Sequence, residues 1–508
     1  MSLPKETEHA LRMSVYDGAF ATMMGSLCGG IFLVGFALNV LGATALQVGI
    51  LAALPVSANM AQVIGSILVE RYGHRRILCI ISVTAARLFW LPILGLPFLV
   101  FGDAADPRIW ILVALVGMSC LLGSVAGVAW LGWMSDLIPG DIRGRFFARR
   151  NIVCAAAGMV VVLAGGAFLN FWEGLRGRED PFGYLILFSV GLVLGIVSSW
   201  YLSRVYDPKA GPPPPGVNGL TWAALLSPFR DGTFRALIIY VGLFMFVTQM
   251  AGPFYAVYMI ENLGVDFATI TWLITFATLA SLFMLRIWGP IADEMGNKPI
   301  LIVAGFAHAL IPLIWVVAQE GVYYHALVLA HIASGMFYAA LLLAQVNALI
   351  KLSPEQGRSF YIAAFNTSLG LAVAVAPIVG GIFLSATEGL QVQAGRWTLT
   401  NLHILFLLSG TAQILVLGTL FALREAGASS PRAVLFQLRN DLDPQTGLAS
   451  AMDFMTVRAG RTGRILKTVD SRTDAWAGRS EAFIEHRIDA LLKRFEKPVR
   501  TVKTIFKD

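Results

Sequence analysis

Apolar residues run in long blocks from Phe20 to Phe421, separated by short stretches rich in glycine, proline and charge. Blocks such as Ile77–Phe101 and Ile152–Trp172 lack two-residue alternation of polarity. They predict helices that cross a bilayer and exclude a membrane barrel, whose strands alternate over about 10 residues. Apolar length and breakers place twelve spans. These are Gly18–Leu41, Leu46–Val69, Ile77–Phe101, Ile109–Met134, Ile152–Trp172 and Phe182–Leu202, then Ala236–Met259, Phe267–Trp288, Pro299–Val317, Ala326–Ile350, Phe360–Leu384 and Leu402–Leu423.

Basic residues orient the spans. One set of connections carries Arg71, Arg75, Arg76, Arg143, Arg145, Arg149, Arg150, Arg204, Lys209, Arg230, Arg235, Lys298, Lys351 and Arg358. The opposite set carries only Arg108, Arg176, Arg178 and Arg396. The first set defines a basic face, expected to be cytoplasmic, and an even number of spans puts both termini there. The expected organisation is a cytoplasmic N-terminus over 1–17, a six-helix bundle over 18–202, a linker over 203–235, a second bundle over 236–423 and a basic cytoplasmic tail over 424–508. In the linker, Pro212–Pro215 reads as a polyproline spacer. Leu220, Trp222, Ala223, Leu226 and Phe229 read either as an interfacial helix or as a plain stretch with a Trp anchor. In the tail, Ile484, Ile488, Leu491 and Phe495 share one helical face flanked by basic residues, fit for anionic lipid, a partner protein or the bundle's own loops.

Composition supports this picture. The chain is 57% hydrophobic and 14% charged, against about 25% charged in soluble domains. That excludes a secreted, fibrous or disordered protein and a soluble enzyme on one anchor. The net charge of +7 follows from topology and tail, so no nucleic-acid partner is implied. Cys28, Cys79, Cys120 and Cys154 lie within or at the ends of apolar segments, with neither a disulfide framework nor metal-ligand spacing. No phosphate-binding loop or nucleophile elbow occurs, so no enzyme, cofactor or metal is expected.

The two halves repeat each other. Span four ends in a segment containing Pro139, Arg143, Arg145 and Asn151; span ten ends in one containing Pro354, Arg358 and Asn366. Three of these landmarks, the proline, an arginine and the asparagine, lie 215 positions from their counterparts. Small residues follow each asparagine: Ala155, Gly158 and Gly165, and Gly370, Pro377 and Gly380. Such stripes let membrane helices pack closely. A second repeat joins spans two and three through Ser66, Glu70, Arg71, Gly73, His74, Arg75 and Arg76, and spans eight and nine through Gly289, Asp293, Glu294, Gly296, Asn297 and Lys298. Its acid is placed to meet a helix N-terminus or an arginine, a contact suited to a gate.

This combination resembles the major facilitator superfamily over Asp17–Leu423. The first loop departs from the family pattern at Ser66, Glu70 and His74, and the second at Glu294 and Asn297. The resemblance implies an all-α polytopic membrane protein with twelve transmembrane helices in two pseudo-symmetric six-helix bundles, rocking about a central cavity. It also implies that spans one, four, seven and ten line the cavity, with three, six, nine and twelve outermost.

Polar residues inside spans are the candidates for chemistry. His331, Tyr338 and Gln345 share one face of span ten. Gln249 and Tyr240 lie on span seven, with Tyr255 and Tyr258 read chiefly as an interfacial belt. Asn39 and Asn59 are further candidates, while Trp130, Trp133 and the threonines Thr271, Thr275 and Thr278 read as packing. Arg87, deep in span three, either meets an anionic solute or pairs within its bundle. Asp17 is the only carboxylate expected in a span's first turn, and none is expected mid-membrane. The function implied is a secondary transporter of a small solute by alternating access in the cytoplasmic membrane. The alternatives are a non-transporting scaffold or assembly factor docking through its tail, and a lipid-handling carrier.

Overall fold

The computed structural model describes residues 4–72, 74–99, 107–207, 227–319, 323–354, 358–395 and 397–442. Gly73, Pro212–Pro215, most of the interfacial segment and the tail helix therefore lie outside the described residues. The spans belong to one compact unit, Met1–Val434.

Eleven helices among the described residues are long and apolar enough to cross a membrane. The twelfth expected span is present but broken. Thr44 and Gln47 form a capping box that starts helix Ala45–Ser57. Pro55 removes one amide donor, a 3-10 turn follows at Ala58–Ala61, and the span resumes over Gln62–Tyr72.

Other boundaries differ from expectation for local reasons. Span one starts at Lys5, with Glu6 and Glu8 favourably placed at its positive end and an Arg12–Glu8 ion pair along its flank. The polar N-terminus is thus a helical extension, and Asp17 lies well past the first turn. The span breaks before Gly30, whose φ is +52°, and resumes to Asn39. Span five begins at Gly140, immediately after Pro139, and runs to Arg176. Arg143 and Arg145 therefore lie on a helix, not in a loop. Gly289 likewise lies within span eight, Phe267–Met295. A short hairpin, Gln391–Ala394 with Trp397–Thr400, joins spans eleven and twelve. The alternating Val392, Trp397 and Leu399 around Gly395 carry its signal in the sequence.

The small-residue stripes pack closely in part: Gly370 has no neighbour within 4 Å and Ala155 is exposed, but other members make the close approach. A Cβ at Gly158 would lie 3.0 Å from Thr22 of span one, and a Cβ at Gly380 only 2.1 Å from the Met250 carbonyl of span seven. Each stripe continues into a glycine pair. Gly165 faces Phe32 in its own half, while Gly166 faces Thr271 and Phe267 of the other. Gly380 faces its own span seven, while Gly381 faces Ala45 and Leu46 across the join. These pairs also lie 215 positions apart.

The halves meet on the face opposite the basic one. There Gly49 touches the Pro377 carbonyl, and Phe267 inserts against Gly35 between Phe32 and Tyr184. Ala45–Ser57 packs extensively on span eleven, Arg358–Ala386. By contrast, Gln62–Tyr72, the basic-face half of the same span, packs chiefly on span four of its own bundle. Among the described residues the join is closed at one end and parted at the other.

Candidate functional site

A cavity of about 900 Å³ lies between the halves. Spans one, four, seven and ten contribute, as expected. Spans three and nine also reach it, through Arg87 and Trp90 and through His308 and Trp315. That corrects their assignment as outermost.

The C-terminal wall is polar. His331 and Tyr338 line the cavity from span ten and Gln249 from span seven. Gln345 does not. It is buried two turns beyond Tyr338, its Nε2 without a partner among the described residues. His331 Nδ1 donates to the Leu327 carbonyl at 2.8 Å. His308, not singled out from sequence, donates from Nδ1 to Gln413 Oε1 at 2.8 Å. With each Nδ1 so engaged, a neutral ring keeps Nε2 as an acceptor. Thr248 also lines the wall, its buried hydroxyl without a partner among the described residues.

The span-seven tyrosines are not a belt. Tyr255 lines the cavity between the rings of Trp315 and Phe406, at 4.5 and 4.6 Å. Tyr258 is buried, donating to the Ala318 carbonyl at 2.9 Å and contacting His403. Tyr240 is buried away from the cavity, its hydroxyl 3.4 Å from the Leu301 carbonyl. The span-eight threonines bond back to their own helix as expected.

The N-terminal wall is apolar, built from residues such as Met24, Val34, Leu51, Val83 and Val116. Its Ser119 hydroxyl is taken by the Ala86 carbonyl. Arg87 is its one charge, and that charge is committed elsewhere. Its guanidinium donates to Ser199 and, at 2.7 Å, to Ser198 Oγ, which donates to Asp17 Oδ1 at 2.6 Å. Arg150 approaches Asp17 to 4.0 Å, and its guanidinium lies 4.4 Å from the Trp130 ring centre. A buried network across spans one, three, five and six thus engages Arg87. Ser198 and Ser199 lie more than a hundred residues from Arg87, beyond the reach of spacing arguments.

Two expected cavity residues lie elsewhere. Asn39 donates to the Tyr184 hydroxyl at 2.9 Å, inside the N-terminal bundle. Asn59 sits on the exposed 3-10 turn of span two, accepting from Gln62 and Ser124. Trp133 is packed, its indole donating to the Tyr206 carbonyl.

The expected gate residues divide. Side chains of Glu70, Arg71, Arg143, Arg145 and Arg358 lie outside the described set. Arg75 donates to the Gly132 carbonyl at 3.4 Å. Arg76 donates at 2.7 Å to the Ser203 carbonyl at the end of span six. Lys298 mirrors Arg76, donating at 2.7 Å to the Leu423 carbonyl at the end of span twelve. Both cations satisfy carbonyls at the negative end of a bundle's last helix. Asp293 is exposed, with no hydrogen bond or ion pair to another described residue, and Asn151 and Asn366 are exposed on their helices.

The carboxylate at the start of span nine is instead Glu425, from the segment expected to be tail. It accepts from the Asn297 and Lys298 amides at 2.9 and 2.6 Å and from Lys351 Nζ at 2.8 Å. Burial pushes the Glu425 carboxyl upward, but the Lys351 and amide hydrogen bonds outweigh it and leave it below the usual carboxylate range. Gly296, at φ +88°, makes the turn that presents these amides. Ser429 N donates to the Met295 carbonyl, so the first residues beyond span twelve form a strap across the ends of spans eight, nine and ten.

On the opposite face Arg178 crosses between halves. Its Nη1 and Nη2 donate to the carbonyls of Ile260 and Gly264 at 3.3 and 2.8 Å, and Glu173 holds its Nε side at 3.5 Å. Span seven ends there in a π-turn, Tyr258–Asn262. A guanidinium from one half caps the negative end of a helix in the other.

Two six-span bundles, joined at one face over a central cavity, define a polytopic membrane protein of transporter architecture. Residues 237–438 match the family model of the Major Facilitator Superfamily. Similar solved structures include a bacterial homolog of the human lysosomal transporter Spinster, inward-facing and unoccupied. It has a TM-score of 0.57 and 14% identity, covering 86% of this chain and 99% of that one. A mutant of the nucleoside transporter NupG has a TM-score of 0.60 and 13% identity, covering 82% and 100%. A bacterial homologue of the iron transporter ferroportin, also inward-facing, has a TM-score of 0.59 and 13% identity, covering 83% and 99%. No curated protein matches the chain in sequence. The family match thus covers the second half of the spans, and the chain as a whole shares the fold of these solved structures.

Proposed function

We propose that this protein is a secondary carrier moving a small solute across the cytoplasmic membrane by alternating access, with its basic face and termini in the cytoplasm. The observation supporting this most directly is one cavity walled by both halves, closed at the far face and parted at the basic face. In this reading the conformation is inward-facing, the bundles are 18–202 and 236–423, and Asp293 and Arg358 are gate residues. Fold neighbours named as transporters of nucleosides, xylose and iron support a solute carrier without naming the solute.

Gln249→Cys tests it, with adducts mapped by peptide mass in sealed vesicles of both orientations. A carrier labels from both sides with an impermeant maleimide. Bridging an exposed Glu179→Cys, Glu261→Cys pair across the far face with a bifunctional methanethiosulfonate then removes far-side labelling, and reduction restores it. Labelling from one side under every condition means a static scaffold.

A further inference from the structure

The cavity walls differ in kind. Polar groups gather on the C-terminal side, where Gln249 and the Thr248 hydroxyl have no partner among the described residues. His308 and His331 each have Nδ1 engaged, leaving Nε2 to accept. The facing wall is apolar, and its single charge is tied to Ser198, Ser199 and, through Ser198, Asp17. No carboxylate lines the cavity among the described residues. A charged solute entering here leaves water and meets no free countercharge, a large penalty in an apolar site. A neutral solute with donors at one end satisfies the two imidazoles and the amide while its body covers the opposite wall. The volume of about 900 Å³ lies in the upper part of the range for small-molecule sites, roughly 300–1,000 Å³.

We infer that the solute is an uncharged amphipathic molecule whose polar end carries hydrogen-bond donors such as hydroxyls, held head-first against spans seven, nine and ten. This rests on the carrier reading for the cavity's use, but the class follows from the walls themselves.

Cys120 lines the cavity and is partly exposed, whereas the other three cysteines are buried. Its maleimide reaction, mapped by peptide mass on the full chain in phosphatidylcholine nanodiscs, reports occupancy. Three probes share one tail: octyl glucoside, octyl sulfate and octyltrimethylammonium, each kept below micelle formation. Octyl glucoside is expected to protect Cys120 at a concentration about tenfold lower than either charged probe, given the penalty for burying an unpaired charge. His308→Phe and His331→Phe are each expected to raise that concentration about fivefold by removing an acceptor. Gln249→Leu, which disturbs no described hydrogen bond, serves if a histidine variant loses its fold. Equal or better protection by a charged probe overturns the inference, as does protection by none of the three, or protection indifferent to all three variants. Protection of the expected kind with one-sided labelling of Gln249→Cys would leave the solute class standing and remove the carrier.

Discussion

Arg178 of the N-terminal half donates to the Gly264 carbonyl of the C-terminal half at 2.8 Å, closing the far face with a polar contact. In the carrier reading, outward opening breaks it. The side chain is 38% exposed, so the contact is worth about 1 kcal/mol after solvent screening. Arg178→Ala is therefore expected to raise far-side labelling of Gln249→Cys about fivefold, with Arg178→Lys intermediate. Unchanged labelling in the alanine variant would show that the guanidinium caps a helix without restraining the join.

The seam beside it tolerates no side chain. A Cβ at Gly49 would lie 2.3 Å from the Pro377 carbonyl oxygen, and overpacking of this kind costs about 1–3 kcal/mol. Gly49→Ala should part the far face, so that labelling of Gln249→Cys rises from that side and falls from the other. Gly117→Ala is the control, because its nearest neighbour atom lies 3.5 Å away. Similar shifts in both variants would refute a specific role for the seam.

Asp17 and Arg87 are buried on different spans and bridged by Ser198. Neutralising Asp17 alone leaves the guanidinium without its carboxylate, and breaking buried charge pairs costs about 3 kcal/mol. Asp17→Asn should therefore lower the unfolding temperature in detergent, and adding Arg87→Gln should recover most of the loss. A double variant as unstable as the sum of the singles would mean the two charges do not support each other.

Much of this was legible in the sequence. Apolar length located the spans because a bilayer fixes that length, and the 215-residue offset revealed the duplication. Helical spacing brought His331 and Tyr338 to the cavity, but did not fix depth, so Gln345 was grouped with them although it lies beyond. His308 stands in the sequence as an imidazole inside an apolar block, a signal of an intramembrane polar site. The network around Arg87 and the Glu425 strap were not legible. Both depend on contacts between segments more than seventy residues apart, and Glu425 opens a stretch whose polarity reads as tail.

That strap gives a pH dependence with a definite sign. Because the folded Glu425 carboxyl is held below its ordinary value of about 4.3, its contribution is complete above that value. It is lost as the pH falls through the lower folded value. Hydrogen exchange at the Asn297 and Lys298 amides, corrected for intrinsic rate, should show protection at neutral pH that disappears in acid. In Glu425→Gln protection should be weak throughout. Protection in the variant equal to that of the native chain would assign the capping to another group.

In the carrier reading, Gly166 and Gly381, the members of the two glycine pairs that face the other half, act as a duplicated bearing. Where side chains interdigitate, rotation must climb over each knob in turn, and the halves would settle into a few preferred registers. Bare backbone offers no knobs. At two symmetry-related points one half can roll over the other with little change in contact, so the angle of rocking is left to the groups at the rim and to whatever fills the centre. A solute needs to supply only enough energy to tip the balance between the two ends, not enough to unpack a core.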